Sequence, residues 1–499
     1  MPRRPIHVSG TGGAELRAAL HELRRELDLP AAFPQAVREE AEQAAAHHRP
    51  LPDAVDATDL PLFTIDPPGA ADLDQAMFLD RRPGGGFRVY YAIADVAAFV
   101  VPGGALDAET HRRGMTVYLP DGRVPLHPEV LGEGAASLLP DRDRPALLYQ
   151  MDLDEFGELV FTHVRRALVR SRARLDYAGV QRELDSGAAE EPLTLLRDIG
   201  LLRQELEQAR GGISLDVPEQ VVVPRDGRCA LAYRAPLPVD GWNAQISLMT
   251  GMAAADLMLT AGTGILRTLP TAPDGAVKRL RRVAHALDVD WPHGTSYADV
   301  VRSLSAAQRP GEGGSGGPPP IEPRHAAFLQ ECTGLLRGAG YTVFDGDPPD
   351  PAEARHAALA DDYAHCTAPL RRLVDRYTGE LCLAAAEGAE PPEWVRAALD
   401  ALPAEMAGAA ARARRAERES VDLVEAAVMS DRVGEVFDGF VVEVREDAPT
   451  RGTVQLREPA VVGRVDTDPY GPALPLGDPL RVRLLAAGPG REKVRFAPA

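Results

Sequence analysis

The segment Thr64–Ala76, TIDPPGAADLDQA, most constrains what this chain can fold into. It sets Asp66, Asp72 and Asp74 in one short run bent by glycine and proline, between the strand-like runs PLFTI and AMFLD. Carboxylates forced together repel, and each is costlier to ionise unless a cation lies among them. The fold must therefore splay these side chains into water as an acidic turn or gather them around positive charge. Spacing alone leaves both readings open, because aspartate-rich turns after strands are common. If a cation is held, magnesium suits the donors: it takes oxygen ligands, keeps several waters, and is usually held by one or two carboxylates plus a substrate phosphate. Two such ions about 3.5–4 Å apart stabilise the attacking and leaving oxygens of an in-line phosphoryl displacement.

A chain of 499 residues exceeds one ordinary core and implies a large central domain with smaller modules at its ends. Residues 1–58 read as helical, with AELRAALHELRREL and PQAVREEAEQAAAHH parted by the breaker stretch DLPAAFP. This module is of helix-turn-helix type, or a two-helix oligomerisation element, or a structural cap. Residues 59–430 open with β signals, among them FRVYYAIADV, and continue through helices such as EPLTLLRDIGLLRQELEQAR and NAQISLMTGMAAADLMLTAG. The second of these is apolar almost all round, as a buried core helix is. RPGEGGSGGPPPIEP, Arg309–Pro323, is too poor in hydrophobic residues to pack and reads as a mobile loop inserted in the domain. A long helix or helix pair from EWVRAAL onward precedes residues 431–499, whose short alternating strands suit a small barrel. Phe437 and Phe440 there are candidate surface contacts or core.

Hydrophobic residues at 45% and charged ones at 26% are ordinary soluble-protein composition. The opening residues lack a signal-peptide core and no apolar run is long enough to span a bilayer, so a cytoplasmic monomer without membrane contact is expected. Cys229, Cys332, Cys366 and Cys382 show no CxxC pairing and read as buried thiols. A formal charge of −19 opposes indiscriminate adhesion to nucleic acid but not a lined channel. Basic residues do cluster: Arg165, Arg166, Arg170, Arg172 and Arg174 are weighted towards RNA, and Lys278, Arg279, Arg281 and Arg282 towards a solvated face.

LPLFTIDPPGAADLDQAMFL with FRVYYAIADVAAFV resembles the opening of the catalytic domain of the ribonuclease II family. RRGMTVYLPDGRVPLHPEVL, GAASLLPDRDRPALLYQMDLDEFGEL, SRARLDYAGVQREL, ARGGISLDVPE and YAHCTAPLRRLVDRY continue the likeness in order across Leu60–Tyr377. The resemblance implies an α+β multidomain protein with a small N-terminal helical module, a large mixed α/β RNB catalytic domain and a C-terminal OB-fold barrel. It implies a magnesium-dependent, hydrolytic 3′-to-5′ exoribonuclease that takes single-stranded RNA to nucleoside 5′-monophosphates. An alternative is an RNA-binding protein that keeps the fold with an impaired centre.

By the same resemblance, Asp66, Asp72 and Asp74 match three of four metal-site aspartates and Gln75 stands at the fourth, offering a carbonyl oxygen but no charge. Asp74 matches the most directly catalytic member. Arg371 matches the arginine that clamps a phosphate oxygen near the scissile bond, and Arg372 is a further substrate contact or a structural salt-bridge partner. Tyr118 and Tyr177 match tyrosines that contact the last nucleotides. Leu215 stands where relatives carry a phenylalanine that sandwiches the terminal base, and Met249 and Thr250 stand where they carry glutamates. The OB-fold domains with which relatives usually begin have no counterpart in this pattern.

Overall fold

The computed structural model describes residues 14–30, 32–47, 53–215, 217, 219–225, 228–234, 236–307, 323–445, 447–456, 458–459, 461–488 and 492–499. Helices α1 (Ala14–Glu26) and α2 (Gln35–Ala46) come first. Strands β1 (Val55–Asp66), β2 (Gln75–Arg81) and β3 (Phe87–Ala94) follow, so extended chain begins inside the stretch read as helical. Helix α3 (Ala105–Arg113) and a small hairpin, β4 (Val117–Leu119) with β5 (Gly122–Val124), lead to the long strands β6 (Asp143–Leu153) and β7 (Leu159–Asp176). These strands close a barrel in the order β1-β2-β3-β6-β7, antiparallel except where β1 runs beside β7 in parallel.

Alternation along the strands sorts their residues into two cores, because successive side chains point to opposite faces. Met77, Tyr91, Ile93, Leu147, Tyr149 and Met151 pack with helices α5 (Glu191–Arg210) and α6 (Pro238–Ala261), which follow α4 (Tyr177–Ser186). Ala76, Ala92, Ala94, Ala146 and Leu148 join a second core with Leu73, Leu106 and α2. The expectation of a buried α6 holds: Trp242, Ile246, Met249, Thr250 and Met258 all lie inside.

The hairpin β8 (Glu219–Arg225) with β9 (Arg228–Arg234) precedes α6, and β10 (Thr263–Thr268) pairs with β11 (Gly340–Asp345) after it. Between those two strands, α7 (Asp274–Ala286), α8 (Tyr297–Ala307) and α9 (Pro323–Cys332) build a satellite core. The loop expected at Arg309–Pro323 lies outside the described residues except for Pro323, which opens α9. After the short α10 (Pro351–Ala354) come α11 (Leu373–Glu387), α12 (Glu393–Ala398) and the long α13 (Leu402–Met429).

The chain closes with a second five-stranded barrel, β12 (Val436–Arg445), β13 (Ala448–Leu456), β14 (Val462–Asp466), β15 (Pro479–Gly488) and β16 (Glu492–Pro498), ordered β12-β13-β14-β16-β15. Phe437 is core here, edge-on to Phe496, and Phe440 packs against the satellite core. Cys332, Cys366 and Cys382 are buried free thiols. Among the described residues, no helix is long and apolar enough to cross a membrane.

Candidate active site

The acidic segment joins β1 to β2, and every sharp feature of it has a local cause. Gly69 takes the left-handed φ of +84° that an L side chain resists, and Ala70 N–H donates to the Pro67 carbonyl at 3.1 Å. Ser137 then pins the loop, accepting from Leu73 N–H at 3.0 Å and donating to the Ala71 carbonyl at 2.6 Å. Asp66 closes β1 in register with Asp176 of β7. Asp176 caps α4 by accepting from Gly179 N–H at 2.8 Å, which sets Tyr177 at the helix start beside Asp66.

Asp74 is 5% exposed. Its carboxylate accepts from Leu370 N–H at 2.7 Å and pairs with Arg371 Nε at 3.2 Å. Burial pushes its carboxyl up to about 7, against the pull of Arg371 and the Leu370 N–H, while Asp375 and Asp72 push the same way as burial. Asp66 is pushed up to about 6, first by burial and then by Asp72 beside it. Two carboxyls this costly to ionise form a site short of positive charge, and their hard oxygen donors fit a divalent cation. Asp66, Asp72 and Asp74 would hold it, and such an ion would stabilise charge on a phosphate and lower the pKa of bound water.

Among the described residues, however, no three His, Cys, Asp or Glu side chains stand close enough to form a metal site. The reason is visible in the pairings. Arg123 Nη1 sits 2.7 Å from Asp72, and Asp74 is engaged by Arg371 and the Leu370 N–H.

Gln75, read as the fourth ligand, is drawn the other way. Its amide donates to the Thr367 carbonyl, and its side-chain oxygen accepts from Tyr91 OH at 2.9 Å, which in turn bonds Ser247 at 2.7 Å. The neutral amide serves as a strut between β2 and the Arg371 loop.

That loop is held from several sides. Ala368 N–H donates to Asp375 at 2.7 Å, and Thr116 N–H donates to the Arg371 carbonyl at 2.9 Å. Buried His127 donates from Nδ1 to the Leu370 carbonyl at 3.0 Å; burial pushes its pKa down to about 4, so the ring is neutral near pH 7. Arg371 is thus fixed beside Asp74 by contacts that no local sequence pattern announces. Arg372 turns away: its guanidinium is engaged twice by Asp375, with Nη2 at 2.7 Å, the structural alternative raised for it above.

Tyr118 OH lies 3.5 Å from Asp72, and Tyr177 OH accepts from Asn243 at 3.3 Å. Tyr177 also lies close enough to Asp66 to feel its charge, so both tyrosines stand at the acidic corner. Leu215 does not. Ile213 N–H bonds the Ala358 carbonyl at 2.6 Å and draws this segment into the satellite core, where Leu215 packs with Tyr297 and Leu335. Met249 and Thr250 are fully buried, with Thr250 OH returned to the Ile246 carbonyl at 2.9 Å. Much of the basic run on β7 also has partners within the fold. Arg166 pairs with Asp95 at 3.0 Å and with Glu380, Arg170 with Asp143 at 2.5 Å, and Arg172 donates to the Thr58 carbonyl at 2.7 Å.

The raised carboxyl of Asp74 yields a sign for pH dependence. A group protonated more readily when folded than when unfolded binds extra protons in the native state, so stability falls as pH rises between the two values. With chelator present, the melting temperature of wild type relative to Asp74→Asn is expected to fall as pH rises from about 4 towards about 7. Added divalent cation should recover it. A flat difference across that window would mean that Asp74 titrates normally.

The fold is thus defined by two closed five-stranded barrels, the first carrying Asp66, Asp72 and buried Asp74 beside a fixed arginine. Residues 54–385 match the RNB domain and residues 435–499 match the RNase II-type exonuclease C-terminal S1 domain. The chain belongs to the RNB domain family. It is 29% identical over 537 residues to Ribonuclease R of Escherichia coli, covering 98% of this chain and 62% of that relative. It thus spans less than two thirds of that relative's length. Exosome complex exonuclease dis3 of Schizosaccharomyces pombe is 30% identical over 64% of this chain and 33% of its own length. Among solved structures, apo Mycoplasma genitalium RNase R superposes with a TM-score of 0.81 at 18% identity, covering 97% of this chain and 78% of that one. Yeast Ssd1, described as a pseudonuclease, superposes at 0.69 with 16% identity, covering 90% and 55%.

Proposed function

We propose that this protein is a magnesium-dependent, hydrolytic 3′-to-5′ exoribonuclease that acts on single-stranded RNA and releases nucleoside 5′-monophosphates. The observation that carries the reading is the meeting of Asp66, Asp72, Asp74, Arg371, Tyr118 and Tyr177 at one corner of an RNB barrel. The carboxylates hold magnesium, Arg371 steadies a phosphate oxygen with its planar guanidinium, and the tyrosines offer faces to the terminal bases. The Mycoplasma genitalium RNase R structures include one with ribose methylated single-stranded RNA and one with double-stranded RNA, which supports RNA as the substrate class.

A second reading is favoured by the neutral strut at Gln75 and the likeness to Ssd1: an RNA-binding protein with an impaired centre. One experiment separates the two. A 5′-labelled single-stranded RNA incubated with protein and magnesium is expected to shorten from its 3′ end, and to stay intact with Asp74→Asn or with chelator. Tight binding without shortening would establish the second reading instead.

A further inference from the structure

The hairpin of β4 and β5 touches the N-terminal helices on one side and the acidic corner on the other. On the outer side, Leu23, Leu27 and Leu29 form one buried cluster with Val117, Leu119 and Val124 of the hairpin and Ala416 of α13. Arg24 of α1 grips Asp121 in the hairpin turn through two bonds, Nη1 to Oδ2 at 3.1 Å and Nη2 to Oδ1 at 2.6 Å. On the inner side, Tyr118 and Arg123 stand directly opposite each other in register, and cross-strand partners share a face. Both reach Asp72, and Arg123 spans from that carboxylate to Glu133.

We propose that this hairpin is a positioning device for Asp72: Arg123 holds the carboxylate, and α1 holds the hairpin. The inference rests on the reading of the acidic corner as a divalent-cation site. A guanidinium 2.7 Å from Asp72 competes for the same oxygens that an entering cation needs. Were Asp72 to turn to such a cation, Arg123 would keep Glu133 as its second partner. Arg123 therefore sets the affinity of the corner for divalent ions, and the clamp from α1 sets how firmly Arg123 is presented. Helix α1 acts on the site through this path.

The test is calorimetric titration of the chelator-stripped full chain with Mn²⁺ alone, with no RNA and no turnover. Arg123→Gln is expected to bind Mn²⁺ roughly tenfold more tightly than wild type, because a competing charge is gone. Arg24→Asp, which repels Asp121, is expected to tighten binding roughly threefold, in keeping with a partly exposed pair. Adding Asp121→Arg to it restores the wild-type value, and adding Arg24→Asp to Arg123→Gln tightens nothing further, since both act through one residue. Unchanged or weaker binding in Arg123→Gln overturns the role of Arg123, and additivity of the two changes overturns the role of α1. Should Arg24→Asp melt too low to titrate, Arg24→Gln carries the comparison: binding tighter than wild type supports the clamp, and wild-type affinity overturns it. A wild-type chain that binds Mn²⁺ no better than Asp74→Asn overturns the cation site itself, a result distinct from the other failures.

Discussion

Arg371→Lys is expected to lower the single-turnover rate of RNA shortening by roughly 10²- to 10³-fold while leaving RNA affinity nearly unchanged, the loss typical of removing one aimed donor of a charged transition state. Lysine keeps the charge but offers a point rather than a planar fork. It also lacks the Nε that Arg371 sets 3.2 Å from Asp74, so the new ammonium loses its alignment to that carboxylate. The backbone on either side should not move, because Thr116, His127 and Asp74 hold it through main-chain groups. A rate within a few-fold of wild type would place the phosphate elsewhere.

Asp375→Ala is expected to destabilise the fold by about 3–5 kcal/mol, the cost of leaving a buried charge without its partner. Asp375 is 2% exposed, receives the Ala368 N–H, and is the partner of half-buried Arg372. Its loss strands that guanidinium and frees the loop that carries Arg371. Urea unfolding should show a lower midpoint at an unchanged slope, which marks a change in stability rather than in the unfolded chain. Asp375→Asn, which can still accept from Ala368, should cost less. Equal and small effects from both would mean that Arg372 finds another partner.

What could be read from the chain and what could not divide along contact distance. The acidic turn, the long buried helix and the terminal barrel rest on local composition and alternation, and they stand where the sequence placed them. Arg123 and His127 carry no local signature because their importance lies in partners far along the chain, Asp72 and Leu370; Leu370, for one, reaches back to both Asp74 and His127. The basic run on β7 misled for a related reason. Residue type announces a charge, but only the fold reveals that Asp95 and Glu380 engage Arg166 and that Asp143 engages Arg170. Leu215 was assigned by its place in a matched block, yet the backbone bond from Ile213 to Ala358 carries that block into a separate core. Asp72, Asp74 and Arg371 were placed together by resemblance and do meet at one corner, although the ion pairs that occupy them had no signature in the sequence.

The core beneath the second barrel has a consequence for how the molecule carries load. Leu16 and Leu20 of α1 share it with Val421, Val424 and Met429 of α13 and with Val454, Val482 and Phe496 of the barrel. The first described helix and the last strand are thus neighbours through one long helical beam, although the whole RNB domain separates them in sequence. Load on α1 passes to the second barrel through this core as well as to the RNB domain through the β4–β5 hairpin, and trimming either element bares an apolar face on what remains. For engineering, the two extremities form a single part, to be kept, exchanged or evolved together.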